Sequence, residues 1–259
     1  SCMGIYQILF YLLIFVLAID VLQGLGIGTL FFFKSTGEKR ANAFYGLLLI
    51  TFGLTLLHNI FVMTGLFHLY PWLSYLPSYF TLAFPVLLFY HVKLTLYPNY
   101  QFRSTDIKHF ILPVLQFCFF IFMIFAAQSF SEPLKRNQAN ALFYGRYEQL
   151  FYLISFFAYL YFSWRYIQRK RREVRERKEL KQIFYLRILV QTLFVLFCIH
   201  TFFVLSDFIS YEFFDVNLRA FRAFAALGAL SFAALLFWLG IYGFQVLFWG
   251  RRVFGKLGR

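Results

Sequence analysis

The sequence predicts an all-α polytopic membrane protein, a seven-transmembrane-helix bundle with its N-terminus outside and its C-terminus cytoplasmic. Three observations predict it. Apolar residues make up 61% of the 259 positions and charged residues 14%, where soluble domains hold about half and a quarter. Seven apolar stretches, each close to or above the roughly 20 residues that cross a hydrocarbon core, are separated by polar connections. The richest basic connections alternate along the chain, which sets orientation. The stretches use nearly all of the chain, so residues 1–259 are read as one transmembrane domain.

The first stretch, Ile5–Phe33, is interrupted only by Asp20 and Gln23. A turn with Lys34, Lys39 and Arg40 leads to the second, Ala43–Leu66. The third, Leu73–Leu96, contains Pro85, which removes a backbone donor and predicts a kink. Lys93, Arg103 and Lys108 flank the next connection. The fourth stretch, Ile107–Ala127, carries Pro113 and is preceded by Asp106, placed as an N-cap. The fifth, Gln149–Tyr166, runs into the most basic segment of the chain. Between Arg165 and Arg187 stand ten Lys or Arg and three Glu (Glu173, Glu176, Glu179). That segment has no Gly or Pro, so the helices on either side are expected to extend into it. The sixth stretch is Ile183–Leu205. The seventh, Phe221–Trp249, repeats Ala225, Ala229 and Ala233 at a four-residue spacing near Gly228 and Gly240, a face for close helix approach. Gly24, Gly26 and Gly28 offer the same in the first. The chain ends GRRVFGKLGR.

The basic connections are alternate ones and so share a side. The opposite connections are poorer in Lys and Arg, although Lys135, Arg136 and Arg146 weaken the contrast. The positive-inside rule places the basic side in the cytoplasm. The net charge of +14 is therefore read as orientation and as contact with anionic lipid head groups. Arg169, Lys170, Arg171, Arg172 and Arg175 are the residues predicted to make that contact or to dock a cytoplasmic partner. Direct nucleic-acid binding is not expected, because one exposed hairpin lacks the aromatic or groove-fitting features of a reader.

Polar side chains within the stretches are the candidate site, since charge in hydrocarbon is costly. A central Asp costs roughly 2.5–3.5 kcal/mol on insertion scales, so Asp20 must face the bundle interior or a partner, or be protonated. Gln23 lies nearly one turn further on. His58, Asn59, His200 and Asp207 fall in the predicted outer half. Asp20, Gln23, His58, Asn59, His200 and Asp207 either converge on an outward-facing ligand pocket or make interhelical hydrogen bonds. His91 lies nearer the cytoplasmic end and is expected to snorkel. No metal or other cofactor is predicted. The histidines show no i, i+4 pair and no HExxH, and the last stretch has no lysine for a retinal Schiff base. Nor is an enzyme predicted, for want of a GxSxG, a P-loop or a paired acidic motif. Asp106 with His109 is a conceivable acid–base pair, with helix capping its plainer role. Cys2, Cys118 and Cys198 form no CxxC and are read as free thiols.

Several strings carry a resemblance. DVLQGLGIGTLFFFK precedes KRANAFYGLLLITFGLTLL, then LAFPVLLFYHVKLTL and KHFILPVLQF. This order resembles the multi-span N-terminal region of membrane-bound AraC-type transcriptional regulators and related sensor proteins of Bacteroidetes-like bacteria. The matching positions are Gln23, Gly24, Ala41, Asn42, Pro85, Tyr90, Lys93, His109, Phe110 and Pro113. The likeness is best over Asp20–Phe117 and looser through Trp249. It implies a bacterial inner-membrane sensory domain that passes a signal to a cytoplasmic output domain, and it supplies no catalytic residues. No helix-turn-helix or kinase core follows, so that output domain has been removed or the signal goes to a separate partner. A non-catalytic accessory subunit of a larger membrane complex and a lipid-modifying membrane enzyme remain the other classes.

Overall fold

The computed structural model describes residues 2–33, 38–129 and 147–249. Lys34, the group Lys135, Arg136 and Arg146, and the terminal GRRVFGKLGR lie outside the described residues, as does the Cys2 side chain. Every described element is helical. In chain order they are α1 (Cys2–Phe33), α2 (Lys39–Thr64), a single turn α3 (Leu66–Leu69), α4 (Phe84–Leu96), α5 (Ile111–Ser129), α6 (Glu148–Glu173), α7 (Arg177–Phe214) and α8 (Arg222–Phe244). Short 3₁₀ turns cover Pro71–Tyr75, Ser104–Phe110 and Leu218–Ala220, and a π-helical turn covers Gln245–Trp249.

Each of the seven predicted stretches holds a helix, but the helices differ in length. Among the described residues five helical segments are long and apolar enough to cross a membrane: 4–33, 39–64, 104–125, 177–214 and 222–248. α4 is apolar but has only 13 residues, about 20 Å at 1.5 Å per residue, short of a hydrocarbon core of about 30 Å. α6 has the length, with 26 residues, but ends in Lys170, Arg171 and Arg172.

The expectation of a helix through all of Leu73–Leu96 is corrected. Helix begins only at Phe84, and residues 76–83 are irregular. Pro85 does not kink the helix; it stands in its first turn, where a missing N–H leaves no bond unmade. Side chains from neighbouring helices satisfy the freed backbone. Thr55 Oγ1 accepts from the Phe80 N–H at 3.1 Å, and Gln116 Oε1 accepts from the Leu82 N–H at 3.0 Å. All of α4 but Thr95 is buried, as fits a helix that is apolar almost all round.

The helices pack in a ring, α1–α2–α4–α6–α7–α8, with α8 returning to α1 and also touching α2. α5 stands outside this ring. On α1 the buried positions Leu17, Asp20, Val21, Gly24, Gly28 and Phe31 form one stripe at helical spacing. The lateral exterior is apolar and includes Phe15, Leu22, Phe33, Phe125, Ile154 and Phe202, a surface suited to hydrocarbon and not to water. Cys118 and Cys198 are free thiols on this exterior.

Two glycines set the tightest crossing. A Cβ on Gly46 would lie 2.8 Å from the Gly28 carbonyl oxygen, and one on Gly28 would lie 3.0 Å from that of Gly46. Both obstacles are backbone, so α1 and α2 would have to move apart. Gly26 faces open space instead. Gly46→Ala is therefore expected to destabilise the bundle by about 1–2 kcal/mol despite alanine's better helix propensity. Gly26→Ala is expected to stabilise by up to about 1 kcal/mol. Unfolding in mild detergent compares the two, and equal effects would show that the crossing is not tight.

Candidate functional site

Beside the irregular residues 76–81 the bundle holds a cavity of about 1370 Å³. It is formed by the first turns of α1, the end of α2, residues 76–81, the end of α5, the start of α6, the second half of α7 and the start of α8. These lie at one end of the bundle, opposite the end bearing Arg40, Lys93 and the Arg165–Arg187 segment. Irregular backbone at this depth is tolerated where it borders a cavity, and residues 76–81 border this one.

Four of the six predicted site residues line the cavity: His58, Asn59, His200 and Asp207. His58 Nδ1 lies 3.2 Å from Ser78 Oγ, which ties α2 to the irregular segment. His200 Nδ1 lies 2.9 Å from Ser231 Oγ, whose own proton goes to the Gly228 carbonyl at 2.7 Å. Ser231 therefore accepts from Nδ1–H, and Nε2 is the lone-pair nitrogen of the neutral His200 ring. Asp207 pairs with Arg219 Nε at 2.9 Å at the exposed rim.

The other two do not reach the cavity. Asp20 faces inward, as expected, but is buried on the inner stripe of α1, and neither carboxylate oxygen has a hydrogen-bond partner. Gln23 is turned toward α8, where its amide occupies the space that a side chain on Gly240 would fill. Depth in the bundle is set by sequence position, but direction is set by helix rotation, and these two point away from the cavity.

Sequence reasoning passed over the polar groups of the cavity floor. Glu148, in the first turn of α6, is buried at 1% exposure. The Thr81 hydroxyl donates to its Oε1, and the Tyr79 hydroxyl donates to its Oε2 at 3.3 Å. Thr81 in turn accepts from Gln116 Nε2 at 3.1 Å, which ties α5 to the floor. One turn along α6 from Glu148, on the same face, the Tyr152 hydroxyl is buried without a partner. Beneath lie stacked rings, Phe52 on Phe84 at 4.1 Å and Phe52 on Phe232 at 4.7 Å. Glu148 was overlooked because it borders a long polar connection and reads as part of it; a lone acid heading an apolar run was the available signal.

The basic end is closed. His91 is buried and does not snorkel: its Nδ1 lies 2.9 Å from the Ala41 carbonyl and its Nε2 lies 3.2 Å from the Tyr242 hydroxyl. Tyr45 donates to the Leu239 carbonyl beside it. These contacts satisfy His91 within the bundle, so it has no need of water. Nearby, Asp106 is not the N-cap but the third residue of the 3₁₀ turn. It accepts from the Arg103 N–H, the Tyr90 hydroxyl and the Tyr100 hydroxyl, each at 2.7 Å. Lys93 stands 3.9 Å from it, with its Nζ 3.7 Å from the centre of the Tyr100 ring. His109 bonds the Tyr159 hydroxyl at 2.6 Å and not Asp106, so the two form no acid–base pair. Arg40 donates to the Tyr100 carbonyl at 2.8 Å and so fixes the loop to α2.

The basic segment is helical on both sides of a break at residues 174–176. Arg171, Arg172 and Arg175 are exposed. Arg169 pairs with Glu173 at 3.3 Å, and Lys170 lies 4.8 Å from the centre of the Tyr97 ring. Burial, and then the nearby Glu173 carboxylate, hold the Tyr97 hydroxyl above its ordinary pKa. Among the described residues no group of three or more His, Cys, Asp or Glu is placed to hold a metal ion. Comparison with family models, with curated proteins and with solved structures finds no match for this chain.

Proposed function

We propose that the chain is a seven-helix receptor-like module of the bacterial inner membrane. In this reading α4 and α6 complete the crossings that the five longer apolar segments begin, the N-terminus is outside and the basic end is cytoplasmic. An amphiphilic small molecule enters the cavity and biases the packing of α1, α7 and α8 around it. The Arg165–Arg187 hairpin reports this inside, with Arg169, Lys170, Arg171, Arg172 and Arg175 meeting anionic lipid or a cytoplasmic effector. The observation that carries the reading is a large, mostly apolar cavity with polar side chains from several helices, while toward the basic end the described interior is packed by the rings and hydrogen bonds around His91. Such packing suits reception better than transport. The resemblance to sensor regions of AraC-type regulators supports the same conclusion.

The test begins with the protein drawn from its native membrane in mild detergent. Native mass spectrometry is expected to show a bound small molecule, and Ala226→Phe, which narrows the cavity, is expected to lower its occupancy. Restoring the molecule should change hydrogen exchange in the 165–187 hairpin. An empty wild-type protein with a hairpin indifferent to extracted lipid would overturn the proposal. A stoichiometric protein partner in place of a small molecule would favour an accessory subunit.

A further inference from the structure

Resting on the receptor reading, the chemistry of the cavity floor narrows the ligand class. Glu148 is a buried carboxylate whose two oxygens are oriented by the Thr81 and Tyr79 hydroxyls. Among the described residues it forms no ion pair. Arg219 at the rim pairs through its Nε with Asp207 and acts on Glu148 only as a nearby charge, without a contact, and Arg222 lies exposed at the mouth. A cation brought into contact with this buried carboxylate offsets the cost of its burial. One helical turn away, the Tyr152 hydroxyl is buried and has no hydrogen-bond partner among the described residues. Carboxylate and phenol together make a floor rich in acceptor sites. An ammonium brings three N–H donors and a positive charge; an alcohol brings one donor and no charge, and a carboxylate or phosphate head is repelled. The rings of Tyr152 and Phe232 border the same floor and offer faces that tolerate a cation. Above the floor the walls are apolar, with Phe10, Met63, Met123 and Phe203.

We propose that this cavity binds an amine-bearing amphiphile, with its ammonium between Glu148 and the Tyr152 hydroxyl and its apolar body against the walls. The ligand enters with its charged head foremost and neutralises the floor.

The test uses the full chain in phosphatidylcholine nanodiscs at neutral pH, with radiolabelled decylamine, decanol and decanoate as probes and empty nanodiscs subtracted. Decylamine is expected to bind about tenfold more tightly than decanol, with decanoate weakest. Glu148→Gln keeps the size, accepts from the Thr81 hydroxyl through its oxygen and donates to the Tyr79 oxygen through its amide, and is expected to abolish the preference for the amine while leaving decanol unchanged. Tyr152→Phe removes a hydroxyl that bonds nothing in the unliganded bundle. It is expected to leave unfolding unchanged or improved and to weaken decylamine about threefold, and it carries the test alone if Glu148→Gln does not fold. Amine and alcohol binding equally, or both variants keeping the amine preference, would overturn the amine assignment while the receptor reading stands. Binding of no probe, together with an Ala226→Phe protein indistinguishable from wild type, would overturn both.

Discussion

Asp106→Ala is expected to destabilise the bundle by about 3 kcal/mol, the largest loss among the substitutions considered. The carboxylate accepts three hydrogen bonds of 2.7 Å and faces Lys93. Each bond to a charged acceptor contributes roughly 1.5–3 kcal/mol, and removing one side of a buried pair strands the other. Alanine leaves the fully buried Tyr90 hydroxyl without its acceptor and Lys93 without its counter-charge. The three bonds act as one unit, so their separate values do not add. Asp106→Asn keeps an acceptor and the shape, and is expected to lose about half as much. Unfolding in mild detergent measures both, and a loss below about 1 kcal/mol for alanine would mean that water replaces the carboxylate.

Asp20→Leu is expected to act in the opposite direction and stabilise the bundle by about 2–3 kcal/mol. Asp20 is buried, both of its oxygens lack partners, and it sits midway along a helix long enough to cross a membrane. Insertion scales set a central aspartate roughly 3 kcal/mol above leucine, and leucine returns apolar contact with the buried surface around it. The same unfolding measurement decides. If leucine destabilises and asparagine does not, Asp20 has a polar partner that replaces bulk solvent. A stabilised variant that no longer signals would mark Asp20 as a functional residue retained at the expense of stability.

The apolar runs and their order could be read because helices of membrane-crossing length leave long, continuous signals. The break within Leu73–Leu96 could not, because Phe80, Leu82, Ala83 and Phe84 look the same to hydropathy whether coiled or helical. Only Pro77 and Pro85, with Thr81 between them, hinted at it, and the partners that make the break affordable, Thr55 and Gln116, come from other helices. In the site, His58, Asn59, His200 and Asp207 were identifiable as polar residues at or near the C-terminal ends of apolar runs. Asp20 and Gln23 were grouped with them because sequence reports height and not azimuth. Glu148 was lost at a boundary, and His91 was misjudged because its hydrogen-bond partners on α2 and α8 are remote in sequence.

α7 has a mechanical consequence. Its 38 residues make a rod about 57 Å long, nearly twice the thickness of a hydrocarbon layer of about 30 Å. His200 and Asp207 sit toward one tip and Arg177 and Lys178 at the other. A pivot of only about five degrees on such a rod sweeps the far tip through about 5 Å, a displacement comparable to one helical turn. Length alone thus supplies a lever: about a pivot at the Phe214 tip, a shift of about 2 Å beside His200 becomes one of about 5 Å at the Arg177 end.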